Sequence, residues 1–368
     1  MLRASRAGPV FSIGVITVDD PKYEARRAEQ RLAWADEARR IGQYVRFTIR
    51  CGAELYGPPT YTPTAACLRE NATHGDMVCT SVPYDAGRLK GPSLLVVAWF
   101  EHVLATQPDS QYVASVDDDV FLHVRDLVHL ARSIPTTSYV YMGNIVGWSF
   151  DNATYNFWSF GWKGGQGLLG PFPFAVGSFL AMNTPLASTV VAATRGDVQR
   201  VHGLPRNHSR FFQDAFIGSA IHRLVKVSEP VAVYNLFPIA WDSDGFRVAP
   251  SDVIWHNRHK VACRVQCLGS FSEKFHCGAR PRLNFTWRPR TEGWARAINQ
   301  PGMTQYAVWE MGGFNRPPEN PALGGEAARV NGSCRTAFDL RNPATISAFN
   351  LSSCQACLAA LGKHKRKG

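Results

Sequence analysis

The sequence predicts an α/β fold built on a largely parallel sheet. Three observations lead there. Short apolar, β-rich runs recur through the first two-thirds of the chain, helical stretches separate them, and the sharpest cluster of acids directly follows one of the runs. Strands alternating with helices are the mark of a parallel sheet covered by helices, and ligands of such sheets sit at the carboxyl ends of the strands.

The elements follow in order. Phe11–Val18 is an apolar run that reads as a strand. Residues 23–41 place Ala28, Leu32, Ala35 and Ala38 at helical spacing with charges between, which predicts an amphipathic helix with those four on its buried face. Tyr44–Arg50 alternates Val45, Phe47 and Ile49 with polar residues and reads as a strand. Ser93–Leu104, nearly all apolar, starts behind Gly91-Pro92, a helix-start signal. Tyr112–Val116 is a short strand, Asp126–Ser133 a short helix and Ser138–Met142 a strand. Asp151–Pro173 is rich in Gly, Trp and Phe and reads as an irregular wall beside a site. Phe179–Met182 (strand), Phe212–Leu224 (helix) and Val231–Leu236 (strand) complete the pattern, and periodicity fades after Cys263.

Composition sets limits on function. A hydrophobic fraction of 45% and a charged fraction of 19% exclude wholesale disorder and coiled-coil or collagen-like architecture. With 40 Lys plus Arg against 29 Asp plus Glu, the net charge is +11, which favours anionic partners. No run approaches the roughly 18 apolar residues of a membrane span. The nearest, Pro9–Val18, meets Asp19-Asp20 at once and has no small-residue cleavage site after it. Six N-x-Ser/Thr sequons begin at Asn71, Asn152, Asn207, Asn284, Asn331 and Asn350, a number that fits a secretory protein. Six of the nine cysteines fall in the last third, Cys263, Cys267, Cys277, Cys334, Cys354 and Cys357, and point to local disulfides in an oxidising lumen. Zinc is the rival reading for Cys263/Cys267 and Cys354/Cys357, without a second ligand pair at a familiar spacing.

Three clusters carry candidate chemistry. The first is Asp117-Asp118-Asp119, directly after an apolar strand. Consecutive acids there repel one another unless a positive partner stands close. Alternate residues of an extended segment share a face, so Asp117 and Asp119 can converge, and their oxygens suit Mn or Mg. An acidic turn capping the next helix is the other reading. The second cluster is Gln213-Asp214-Ala215 at the start of a helix, where Asp214 is either an N-cap or a general base. The third is Trp255-His256-Asn257-Arg258-His259-Lys260, either a basic surface turn or a metal ligand with phosphate-binding cations.

Taken in order, these motifs resemble the β-1,3-galactosyltransferase and β-1,3-N-acetylglucosaminyltransferase family, glycosyltransferase family 31, which includes the fringe enzymes. The matching residues are Arg26-Arg27, Arg31 and Trp34; Glu70, His74, Asp76 and Met77; Tyr84 and Lys90; Asp117–Phe121; Pro173–Phe179; and Gln213–Gly218. The resemblance covers roughly residues 11–262. It implies a GT-A type nucleotide-sugar transferase domain over 1–262, a Rossmann-like, mostly parallel sheet flanked by helices, with 263–368 left as a Cys/Pro/Arg-rich extension. It implies an inverting hexosyltransferase that moves galactose or N-acetylglucosamine from a UDP-sugar to a hydroxyl of a glycan or glycoprotein acceptor, with Mn2+ or Mg2+ as cofactor. The site residues it implies are Asp119, Asp117 and His256 for the metal (His259 the runner-up), Asp117, Asp118, Arg31 and Lys90 on the nucleotide side, and Asp214 as base. Trp158, Trp162 and Phe174 are candidate sugar platforms, or core. Three departures stand out: Gln213 replaces the usual Glu, Ala215 the usual Val, and Ser178 stands where a second glycine is usual. The altered Gln213 motivates an alternative reading, a glycan-binding pseudoenzyme of the same fold; a metal-dependent phosphohydrolase is a third. A nucleotide diphosphate and acidic glycans suffice for the +11 charge, so nucleic acid is not called for. Family members are type II Golgi membrane proteins; the anchor is not visible in this chain, and an N-terminus truncated upstream is expected.

Overall fold

The computed structural model describes residues 8–52, 63–83, 90–135, 137–148, 172–203, 213–225 and 230–236, with shorter pieces at 159–160, 240–242, 247–248, 253–256, 286–289, 306–312 and 338–339. The first half runs β1 (Phe11–Ile16), α1 (Pro21–Gln30), a π-helical turn (Arg31–Ala35), α2 (Asp36–Arg40), β2 (Tyr44–Gly52), α3 (Ala65–His74), β3 (Met77–Pro83), α4 (Lys90–Thr106), β4 (Tyr112–Asp117), β5 (Val120–Leu122), α5 (Val124–Ser133) and β6 (Val140–Trp148). The second runs β7 (Ser159–Phe160), β8 (Phe172–Asn183), α6 (Thr184–Gly203), α7 (Gln213–Leu224), β9 (Val231–Asn235), β10 (Ala240–Asp242), β11 (Arg247–Val248), β12 (Ile254–His256), β13 (Thr286–Pro289), β14 (Tyr306–Gly312) and β15 (Phe338–Asp339).

The central sheet has the order β13-β14-β9-β6-β8-β4-β1-β2-β3, with β7 beside β6. It has the predicted mixed α/β class and is mostly parallel; β8 and β13 run against their neighbours. β1 and β4 sit mid-sheet with both faces covered, which explains why FSIGVI and YVASV are continuous buried runs rather than alternating ones. One face carries α1–α2 and α5, packed through Trp34, Ala38, Leu127 and Leu130. The other carries α4, α6 and α7, packed through Leu94, Trp99, Leu186 and Ile217. Gly14 of β1 lets α4 approach closely, since a Cβ there would lie 2.5 Å from the Trp99 ring.

Several expectations change. The strand read at Ser138–Met142 runs on to Trp148, and the one read at Phe179–Met182 starts at Phe172. The sequence reading did not place α6, although Asn183 caps it, its Oδ1 accepting from the Leu186 amide at 3.3 Å. Within the 263–368 extension, β14 pairs in parallel with β9 and β13 pairs with β14, so the last third contributes two strands to the main sheet. The described disulfide is an early one, Cys51–Cys79, joining β2 to β3. All six late cysteines lie outside the described residues. Among the described residues no helix is long and apolar enough to cross a membrane.

The largest correction concerns the helix after β1. Ala28 is exposed and Leu32 is 62% exposed. The buried side instead carries Arg27, Gln30, Arg31 and Trp34. Apolar periodicity misidentified the first half of that face because the helix packs against polar partners.

Candidate active site

The acid triplet sits where β4 leaves the sheet. Asp118 turns inward and is 8% exposed, while Asp117 and Asp119 stay half-buried on either side. Both oxygens of Asp118 are engaged: Thr17 Oγ1 donates to Oδ2 at 3.0 Å, and Arg26 Nη1 donates to Oδ1 at 2.8 Å. The Arg26 guanidinium also lies over the Tyr23 ring, 5.0 Å from its centroid. Backbone is held as well. Gln30 Nε2 donates to the Asp118 carbonyl at 3.0 Å, and Trp34 Nε1 donates to the Val120 carbonyl at 3.0 Å. Arg26, Gln30 and Trp34 are spaced four apart, so successive turns of one helix face grip the turn.

Burial pushes the Asp118 carboxyl above its ordinary range; the Arg26 charge opposes this, and the neighbouring Asp119 charge adds to it. Burial also works against the Arg26 charge, but the Asp118 carboxylate and its hydrogen bond, with Asp119 nearby, outweigh it and hold the guanidinium above its usual value. One helical turn on, Glu29 is raised to about 7, by burial first and against the pull of Arg26. Its Oε2 is buried with no hydrogen-bond partner among the described residues.

A second charged cluster lies behind this one. Arg27 pairs with Glu70 at 2.6 Å and donates to the Val18 carbonyl at 2.7 Å. Arg31 meets Glu70 at 2.6 Å and forks onto both oxygens of Asp76 at 2.8 and 2.9 Å, and Arg39 closes on Asp76. Burial alone would raise Glu70 and Asp76, yet the arginine hydrogen bonds and charges hold both below the usual carboxylate range. Arg31 is 3% exposed. Its guanidinium is directed at Glu70 and Asp76, which makes it a buried brace between helix and sheet edge.

The other candidates are placed by backbone. β12 pairs antiparallel with β5, setting His256 opposite Val120 and therefore one residue from Asp119. β10 pairs with the far side of β12, with Asp242 opposite His256. Asp214 is the second residue of α7. Its neighbour Ala215 packs with Phe172 and Phe174 of β8. Gly218 fits there because a Cβ would lie 2.4 Å from that of Phe174. Since Val116 of β4 pairs with Phe179, residues 172–177 of β8 extend past the end of β4, and the first turn of α7, packed on Phe172 and Phe174, stands at the same carboxyl edge as the acids. Lys90 is the first residue of α4. Phe174 is 3% exposed in that cluster, so it serves as core rather than as a sugar platform. Tyr84, Trp158, Trp162, Arg258, His259 and Lys260 lie outside the described residues.

The donor set fits a hard divalent cation in kind: two half-exposed carboxylates at alternate positions, with a histidine-bearing strand in register beside them. Among the described residues no group of three or more His, Cys, Asp or Glu side chains comes together as a cage. Sequence reading singled out neither Thr17 nor Gln30, and gave Arg26 no role beyond a motif match; the signal it could have used is the run of polar residues at four-residue spacing in this helix.

No family model matches the chain, and no curated protein matches it. Solved structures are similar at low identity. One is a galactosyltransferase, LgtC, in complex with donor and acceptor sugar analogues, with a TM-score of 0.38 and 11% identity over 70% of this chain and 95% of that one. Another is a glycosyltransferase involved in the glycosylation of the major capsid of PBCV-1, with a TM-score of 0.31 and 8% identity over 71% of this chain and 98% of that one. An active-site mutant of LgtC has a TM-score of 0.34 and 14% identity over 70% of this chain and 94% of that one. At these values the function has to be argued from the residues of the site.

Proposed function

We propose that this chain is a metal-dependent, inverting glycosyltransferase of GT-A type. In this reading it moves a hexose, galactose or N-acetylglucosamine, from a UDP-sugar to a glycan hydroxyl, with a β-1,3 linkage as the family resemblance implies. One observation carries the reading: an acid triplet at the carboxyl end of a central parallel strand, with the strand bearing His256 in register beside it.

The chemistry assigns each group a task. Asp119 and Asp117, with His256, are the residues that would hold Mn2+ or Mg2+. When bound, such an ion stabilises the negative charge that develops on a leaving diphosphate. Asp118 is occupied by Thr17 and Arg26 and acts inside the protein. Asp214 accepts the proton of the acceptor hydroxyl as the oxygen–carbon bond to the sugar forms. The bond from the anomeric carbon to the diphosphate oxygen breaks, and UDP leaves with the electron pair. Lys90 remains a candidate nucleotide contact, whereas the ion pairs of Arg31 account for that residue. The sequons and the Cys51–Cys79 disulfide support a Golgi or secretory-lumen address.

The test is UDP release with Mn2+ against a panel of galactose- and N-acetylglucosamine-terminated acceptors. Release that needs both donor and acceptor supports the transferase. Asp214→Asn is expected to lower kcat on the order of 10²–10⁴-fold; unchanged turnover removes Asp214 from its role. Donor binding without turnover would favour the pseudoenzyme that Gln213 motivates.

A further inference from the structure

We propose that Arg26 is a positioning residue for the acid turn. Through Asp118 it fixes the directions of Asp117 and Asp119, and so sets how tightly the turn holds a divalent cation. The inference rests on the metal-dependent reading above.

The geometry separates Arg26 from its neighbours. Arg27 and Arg31 are spent on Glu70 and Asp76, away from the triplet. Arg26 reaches the triplet itself, bonded to Asp118 at 2.8 Å and backed by the Tyr23 ring. Asp117 ends β4, and Asp118 and Asp119 form the turn into β5, so a carboxylate pinned inward at 118 leaves those at 117 and 119 to flank it on the solvent side. Their half-burial on either side of a buried Asp118 matches that pattern. The pin has two parts, Thr17 on one oxygen and Arg26 on the other. Gln30 and Trp34 hold the carbonyls of residues 118 and 120, so the turn cannot swivel as a unit. Three consecutive carboxylates also repel one another, and the Arg26 charge offsets that repulsion from the protein side. Removing the arginine leaves Asp118 buried with only a hydroxyl partner, free to turn outward and compete for the ion.

The experiment uses the full chain and reads metal affinity apart from stability. Mn2+ binding is titrated by electron paramagnetic resonance, thermal unfolding is followed in parallel, and UDP release is measured as a function of Mn2+. Arg26→Ala is expected to weaken Mn2+ binding on the order of 10–100-fold, the range seen when a residue orienting a metal ligand is lost. Arg26→Lys, which keeps charge without the planar fork, should fall between. Turnover should recover as Mn2+ is raised, so the change appears in the metal KM more than in kcat. Arg39→Ala is the control: it loses an ion pair with Asp76 from α2, at the other end of the α1–α2 stretch. It should lower the melting temperature and bind Mn2+ as the unaltered chain does. Equal Mn2+ affinity in Arg26→Ala and the unaltered chain overturns the proposal. So does a loss of affinity that merely follows the melting temperature, as Arg39→Ala would reveal. If Arg26→Ala does not fold, Arg26→Lys decides, with unchanged affinity counting against. An unaltered chain that neither binds Mn2+ nor releases UDP removes the transferase reading, and this inference with it. One that does both while the Arg26 variants match it removes only the positioning role.

Discussion

Two helical stretches of similar length cover opposite faces of the same sheet, and they are held by opposite means. Helix α4 buries Leu94, Leu95, Val97, Trp99, Phe100 and Val103, and its anchoring polar contact is the Trp99 indole donating to the Ala114 carbonyl at 2.8 Å. The α1–α2 stretch buries Arg27, Gln30 and Arg31 as well as Trp34, and each has a directed partner. Apolar burial is non-directional and gives stability wherever area is removed from water. Paired buried charges add little net stability but tolerate only one geometry. The face that grips the Asp118 carboxylate and the carbonyls of residues 118 and 120 is built the second way.

The contrast can be broken from either side. The largest expected effect is at α4, where Trp99→Ala should destabilise by about 3–5 kcal/mol in urea unfolding. Mn2+ affinity of the folded fraction should stay unchanged. Glu70→Ala should approach that magnitude, about 3–5 kcal/mol, because it leaves Arg27 a buried charge without its carboxylate and removes one of the two carboxylates that Arg31 meets. A loss below about 1 kcal/mol there would mean the network is dispensable.

The pH dependence sharpens the comparison further. Glu70 and Asp76 are held low in the folded state, so the stability they contribute is present above the unfolded carboxylate range and lost as pH falls through their lowered values. Glu29 has the opposite sign. Its folded value of about 7 exceeds the ordinary glutamate value of 4.5, so stability falls as pH rises between the two and levels off above. Glu29→Gln should therefore raise the melting temperature at pH 8 and leave it nearly unchanged at pH 4. The gain should be on the order of 1–3 kcal/mol after allowance for partial exposure. Arg39→Ala is the smallest effect, under about 1 kcal/mol by thermal melting, since that side chain is 23% exposed.

The apolar half of the molecule was legible in the sequence, the polar half much less so. The runs forming β1, β4 and α4 announce themselves because burial on both sides leaves no polar residues in them. The acid triplet was legible too, since three consecutive acids behind an apolar strand are costly without a positive partner, which Arg26 provides. The face of α1 was misread because Ala28 and Leu32 look like a core stripe, while the residues that pack are charged and meet partners 39–45 positions away. Nothing local in Glu70 or Asp76 says that an arginine lies opposite. Helix α6 is marked at its start by Asn183 and Pro185, but its β-branched run Thr189-Val190-Val191 favours helix weakly. The pairing of β12 with β5 has no local signal, since three-residue strands carry too few residues for a pattern.

That pairing gives the molecule a timetable. His256 and Val120 are 256 − 120 = 136 residues apart, yet they are register partners. A nascent chain can close the lock of Thr17, Arg26 and Asp118 once β4 and β5 have emerged. At about 5–20 residues per second, β12 follows roughly 7–27 s later. Contacts of such high sequence separation form slowly and late. A chain stalled before residue 254 would display the acid turn, already braced, without its flanking strand.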